Sequence, residues 1–219
     1  MKLSQIQFEL PESKPHFNGR DVRDLTMKTI VNIKTADSTL NGLVLAGGYS
    51  TRMGTDKSLL VYNGRPQREF LFELLKKYCD DAFVSCRKEQ QVPAVFNPLF
   101  DRFDLAGPLN GILSAFQHMS SSWLAVAVDM PFVDDRAIGT LLLNRDKTKL
   151  ATCYFNKDTQ QPEPLLTIWE THAYAHLFAY AKNGNVSPRE FLKTHPVRMI
   201  NPPDDNILRN VNYPGDVIY

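Results

Sequence analysis

Cysteine is scarce in this chain of 219 residues: three in all, at Cys79, Cys86 and Cys153, an odd number with no close-set pair. That excludes a secreted disulfide framework and a cysteine-built metal cage, and it fits a reducing compartment. Neither sign of charge is in excess, with 25 Lys and Arg against 24 Asp and Glu. A chain-wide electrostatic grip on nucleic acid or anionic lipid is thereby excluded, though a local patch is not. No apolar run is long enough to cross a bilayer, and Met1 to Leu10 lacks the core of a signal peptide. Internal repeats and low-complexity tracts are also missing. The expectation is a soluble, cytoplasmic protein that binds no nucleic acid and no membrane.

What is present suffices for a core, since 43% of the residues are hydrophobic. The length fits one α/β domain with an appendage. Residues 1–40 read as that appendage: Ile6 to Leu10 alternates like a short strand, and Pro11 to Pro15 breaks it. It is expected to be a packing arm or small β element, with docking to a partner protein as the other option. Residues 41–219 form the second unit, in which strand, loop and helix alternate. Strands are expected at Leu43–Leu45, Ala82–Val84, Val95–Phe96, Trp123–Val128, Leu150–Phe155 and Leu165–Trp169. The last two are separated by a rigid loop, Gln161 to Pro164. Helices are expected at Gln67–Tyr78, Gly111–Met119, Asp135–Leu143 and Thr171–Ala181, with a further start at Ser187-Pro188-Arg189-Glu190. Such alternation predicts a doubly wound, mostly parallel sheet between two helical layers, a three-layer α/β/α fold.

The chemistry centres on Leu45-Ala46-Gly47-Gly48, which runs through Arg52 to Lys57. A buried strand delivers the chain into a glycine pair, where backbone N–H groups can approach phosphate oxygens that a Cβ would obstruct. Arg52 offers a forked cation and Lys57 a point charge, both suited to charge developing on a phosphate undergoing transfer. The spacing is neither the dinucleotide fingerprint nor a P-loop, because Gly-x-Gly-x-x-Gly and Gly-Lys-Ser/Thr are both absent. Asp129 closes the apolar run from Trp123, at the strand end where open α/β sheets bind ligands. It is a candidate Mg²⁺ ligand; the alternative is a helix N-cap, since Pro131 follows. Arg52, Lys57 and Asp129 form the expected catalytic set.

These motifs, together with Gly107-Pro108-Leu109-Asn110-Gly111-Ile112, Val128-Asp129-Met130-Pro131-Phe132 and Asn210-Val211-Asn212-Tyr213-Pro214, resemble the molybdenum cofactor guanylyltransferase family. That family lies within the nucleotide-diphospho-sugar transferase-like folds, and the resemblance covers about residues 40–219. It implies transfer of GMP from GTP to the terminal phosphate of molybdopterin-bound molybdenum, with release of pyrophosphate. It also implies backbone contacts to the nucleotide at Leu45, Ala46, Gly47 and Gly48, phosphate contact at Lys57 and Mg²⁺ at Asp129. Gly107 and Asn110 would border the nucleotide. Arg189 would meet the pterin phosphate unless it is simply a solvated helix residue.

The sequence departs from the family pattern at three positions. Ser85 replaces an Asn that often contacts the nucleotide. Asn97 stands at an acidic position after the third strand, with Asp101 and Asp104 close behind. Asn212 replaces an acid that is a second metal ligand in sugar-nucleotide relatives, which favours one strongly held Mg²⁺. The run Ala46-Gly47-Gly48 resembles guanylyl members more than cytidylyl ones, which carry an extra methyl there. The alternatives are a relative using CTP or a sugar phosphate, and a non-catalytic nucleotide- or pterin-binding protein that docks through residues 1–40. Contact with other cofactor-assembly or acceptor proteins is a related expectation. His172 and His176 share a helix but have no third ligand, so they are expected to be structural; Trp123 and Trp169 are expected in the core.

Overall fold

The computed structural model describes residues 39–48 and 56–211. Arg52, Asn212 and the appendage up to residue 38 lie outside those residues. Seven strands form one sheet in the order β3-β2-β1-β4-β6-β5-β7. They are β1 (Leu40–Leu45), β2 (Ala82–Cys86), β3 (Pro98–Phe100), β4 (Ser122–Ala127), β5 (Ala151–Asn156), β6 (Gln161–Trp169) and β7 (Arg198–Ile200). Only β6 runs against the others, through antiparallel ladders to β4 and β5. Every residue of β1, β2 and β4 is buried. That is why these three read as continuous apolar runs: helices cover both faces of a parallel strand.

Among the described residues, five helices make the outer layers. α1 (Gln67–Lys76) and α3 (Asp135–Leu143) enclose one face, with Leu71, Leu75, Ile138 and Leu141 packed on Val44, Val84 and Val126. α2 (Pro108–His118), α4 (Ala173–Lys182) and α5 (Pro188–Thr194) belong to the other face, where Leu109, Ile112, Leu177 and Phe191 meet Leu43, Trp123 and Trp169. Both tryptophans are fully buried. The predicted cap of the last helix forms, the Ser187 hydroxyl accepting from the Glu190 N–H with Pro188 in the first turn.

β1 and α1 approach so closely that a Cβ built on Gly42 would lie 2.7 Å from the Cβ of Leu75. No rotamer change relieves a clash with a Cβ. Gly42→Ala is therefore expected to cost about 1–3 kcal/mol through a shifted helix, read as a lower midpoint in urea unfolding.

Two expectations are corrected. Val95–Phe96 is not a strand but part of a 3₁₀ turn, Ala94–Phe96, and the third strand is Pro98–Phe100. Gln161 to Pro164 is not a loop but the start of β6. Its prolines are tolerated because this stretch extends beyond the β4 ladder, which reaches only Leu166, and pairs with β5 alone. Between the two ladders β6 bulges: its pairing with β5 jumps from Thr167 opposite Cys153 to Glu163 opposite Tyr154. The Thr167 hydroxyl bridges the bulge by donating to the Glu163 carbonyl at 2.7 Å.

Candidate nucleotidyl-transfer site

The C-terminal ends of β1, β2 and β4 open into a cleft of about 260 Å³. Leu45, Ala46, Gly47, Gly48, Lys57, Ser85, Asp101, Gly107 and Asp129 are among the residues that line it. The sheet thus brings together residues more than eighty positions apart, because adjacent parallel strands end at the same edge. Gly107 has a φ of +84°, a left-handed conformation suited to glycine, and it turns the chain into the N-terminus of α2 beside the cleft.

Asp129 lies two residues past β4. One of its carboxylate oxygens, Oδ1, is buried and has no hydrogen-bond partner among the described residues. Burial pushes its pKa above the ordinary carboxylate value, and the Lys57 charge partly offsets that. The two residues are joined through Val211: Lys57 Nζ donates to the Val211 carbonyl at 3.3 Å, and the Val211 N–H donates to the Asp129 carbonyl at 2.8 Å. The next turn is held from α1 and its approach, where Gln67 Nε2 donates to Met130 O and Asn63 Nδ2 to Pro131 O, each at 3.3 Å. Asp129 does not cap the following helix; Asp134 does, accepting from the Ala137 N–H at 2.8 Å. A desolvated carboxylate oxygen with no donor fits a hard cation such as Mg²⁺, which takes oxygen ligands and supplies the missing charge.

On the opposite wall, Ser85 is buried at the end of β2, and its hydroxyl donates to Asp101 Oδ1 at 3.2 Å. The other oxygen, Asp101 Oδ2, lies 3.0 Å from where a Cβ on Gly47 would stand. Behind Ser85, a Cβ on Gly111 would collide with the Ser85 hydroxyl. Cys86 adjoins Ser85, and burial pushes its thiol up to about 11, so it stays protonated and is no nucleophile near neutral pH.

Residues 42–199 match the model of the MobA-like NTP transferase domain. The chain belongs to this family. It is 33% identical over 155 residues to the molybdenum cofactor guanylyltransferase of Pseudomonas aeruginosa, covering 68% of this chain and 78% of that protein. It is also 35% identical over 197 residues to the molybdenum cofactor biosynthesis bifunctional protein of Synechocystis, of which the chain, 88% covered, spans only 56%. The crystal structure of molybdopterin-guanine dinucleotide biosynthesis protein A from Archaeoglobus fulgidus shares the fold, with a TM-score of 0.67. That match is at 24% identity and covers 80% of this chain and 94% of that one.

Within this MobA-like domain, two sequence-predicted residues lie elsewhere. Asn97 adopts a left-handed conformation (φ 46°) at the end of the 3₁₀ turn. Its amide donates to Ala82 O at 3.0 Å and Asp81 Oδ1 at 3.2 Å, which puts it at the start of β2, the far end of the sheet from the cleft. The acid that follows the true third strand and lines the cleft is Asp101. Asn110 is spent on structure: its amide donates to the carbonyls of Phe103 and Leu105 at 2.6 and 3.0 Å, and its Oδ1 accepts from the Phe103 N–H. Arg189 pairs with the buried Glu163 at 3.6 Å and borders a second cleft of about 350 Å³ with Asn156, Arg209 and Asn210. His172 and His176 are exposed, and no group of three or more metal-binding side chains exists among the described residues.

Two residues that line neither cleft also serve the site, Arg87 and Gln90 after β2. Arg87 Nη1 donates to the carbonyls of Gly47 and Gly48 at 2.6 and 2.8 Å. Gln90 Nε2 donates to Ala46 O at 3.0 Å and to Asp56 Oδ2 at 3.1 Å. Only their place after a strand that ends beside the glycine pair could have flagged them.

Proposed function

We propose that the chain transfers GMP from GTP to the terminal phosphate of molybdopterin-bound molybdenum, in a magnesium-dependent reaction that releases pyrophosphate. The observation that carries this is the buried oxygen of Asp129, which has no donor among the described residues, in a cleft that it lines with Lys57, Gly47 and Gly48. The membership and the named relatives supply the acceptor class.

The acceptor phosphate oxygen forms the new bond to the α-phosphorus of GTP, and the bond from that phosphorus to the β-phosphate oxygen breaks. The nucleophile is already an anion, so no side chain needs to remove a proton. The protein's task is alignment and charge neutralisation. Gly47 and Gly48 present backbone to the phosphates, and Lys57 places a fixed charge beside them. Bound at Asp129, Mg²⁺ would supply further positive charge to the phosphate oxygens. Arg52, and Asn212 as a weaker second ligand, complete the proposed set by resemblance. The acceptor side is assigned to the second cleft, where Arg189, paired with Glu163 at 3.6 Å, and Arg209 offer guanidinium groups to a phosphate.

The base is assigned to the wall formed by Ser85 and Asp101. Guanine presents N1–H and a 2-amino group on one edge, two parallel donors that a carboxylate accepts together, whereas cytosine offers no such pair. The three cysteines, all buried and none of them joined in a disulfide among the described residues, agree with a reducing, cytoplasmic setting.

Thermal unfolding with GTP, CTP, ATP and UTP, each with and without Mg²⁺, tests the reading. A ligand of the folded state at a hundred times its Kd adds about 2.7 kcal/mol. The expected result is a metal-dependent rise with GTP alone, followed by pyrophosphate release when molybdopterin is added. A rise with CTP instead would remove guanylyl transfer and leave the family.

A further inference from the structure

Three successive carbonyls after β1, those of Ala46, Gly47 and Gly48, accept hydrogen bonds from one turn of the β2–β3 connection. In an extended strand successive carbonyls alternate between sides. Here they gather on one side, and peptide planarity then fixes the other. In the units Ala46–Gly47 and Gly47–Gly48, all trans, each N–H points opposite to the carbonyl of its own plane. Those carbonyls face Arg87 and Gln90, which do not line the nucleotide cleft, whereas Gly47 and Gly48 do. The N–H groups of both glycines donate to no group among the described residues. They form a concave pair of donors suited to an anion.

We infer that Arg87 and Gln90 are positioning residues for the triphosphate of the nucleotide: by holding the carbonyls from behind, they aim the two glycine N–H groups into the cleft. The inference rests on the nucleotide-binding reading above. The pair is itself braced, because Gln90 Oε1 accepts from the Arg87 N–H at 2.9 Å and the Gln90 N–H donates back to Arg87 O at 3.1 Å. Both bonds come from one nitrogen, Nη1, whose two N–H groups are fixed in the guanidinium plane, whereas the N–H groups of an ammonium rotate freely. Its charge also lies beyond the backbone, where it reinforces the positive side of the peptide dipoles that face the phosphate.

The test separates phosphate binding from base binding. Dissociation constants for GTP and for guanosine, both with Mg²⁺, are measured by calorimetry on wild type, Arg87→Met, Arg87→Lys and Gln90→Ala. Arg87→Met is expected to weaken GTP about tenfold, the effect of losing charge-assisted hydrogen bonds, and to leave guanosine unchanged at a pH where Asp101 stays ionised. Arg87→Lys should recover part of the loss, and Gln90→Ala should show a smaller loss in the same direction. Equal weakening of GTP and guanosine would show that these residues merely support the cleft, and the inference would fall; so would unchanged GTP binding in both Arg87→Met and Gln90→Ala. Wild type that binds no nucleotide at all would overturn the nucleotide reading and this inference with it. If wild type prefers another triphosphate and its nucleoside shows the same split, the base assignment falls and the positioning role stands.

Discussion

Asp129→Asn is expected to lower kcat/KM about a thousandfold, the scale of removing a charged group that acts on the transferred phosphate, and yet to raise the melting midpoint of the ligand-free protein. The two effects have one cause. The carboxylate is charged, buried and short of donors, with Lys57 its offsetting charge. Such a group is a cost to the fold and an asset to a cation. Its pKa in the fold lies above the ordinary 3.8. The folded state therefore binds the proton more tightly than the unfolded chain, and stability falls as pH rises from 3.8 through that raised value. The isosteric amide carries no charge to desolvate, so the variant should gain about 2–4 °C for each kcal/mol relieved. The gain should shrink toward acid pH, where the wild-type carboxylate is neutral too. An amide is a poor ligand for Mg²⁺, so stabilisation by GTP should also lose its metal dependence. Calorimetric scans and pyrophosphate release on the same preparations check both halves. A variant that loses activity by unfolding, with a lowered midpoint, would contradict this account of Asp129.

Much of this was readable beforehand because parallel strands advertise themselves. β1, β2 and β4 are covered on both faces, so each is an unbroken apolar run, and a polar residue just past its end marks the sheet edge where ligands bind. That logic located Gly47, Gly48 and Asp129 in one cleft from sequence positions far apart. It failed at β3, a three-residue strand that begins with proline and follows a left-handed asparagine. The sequence pattern puts the strand end at Asn97, whereas the strand is Pro98–Phe100 and the acid lining the cleft is Asp101. Asn110 misled for a different reason. An amide beside a glycine turn looks like a ligand contact, and only the fold shows its donors already committed to the Phe103 and Leu105 carbonyls. Arg87 and Gln90 act on backbone, which has no sequence signature. The prolines of β6 read as loop because their missing donors matter only where strands flank both sides.

Asp101→Asn is expected to cost GTP about a hundredfold in KM with little change in kcat, because the residue is assigned to the base and not to the reacting phosphate. The Ser85 hydroxyl holds one carboxylate oxygen, and the other lies 3.0 Å from where a Cβ on Gly47 would stand. A carboxylate so held offers two acceptors to the two donors of guanine. An asparagine offers one acceptor and one donor, so one guanine donor meets an N–H group and is left without its acceptor. Inosine triphosphate isolates the term, since it keeps the N1–H and lacks the 2-amino group. Wild type should prefer GTP to inosine triphosphate by about tenfold or more, and the variant should barely distinguish them. pH provides an independent readout. Burial raises the pKa of Asp101, with Ser85 and Arg87 opposing, and guanine needs the ionised form. GTP affinity should therefore fall as pH drops through that raised value, and the variant should lack this limb. Should Asp101→Asn weaken GTP and inosine triphosphate equally, with the pH limb intact, Asp101 would be a brace for Ser85, and the contact that reads guanine would lie elsewhere on the cleft wall.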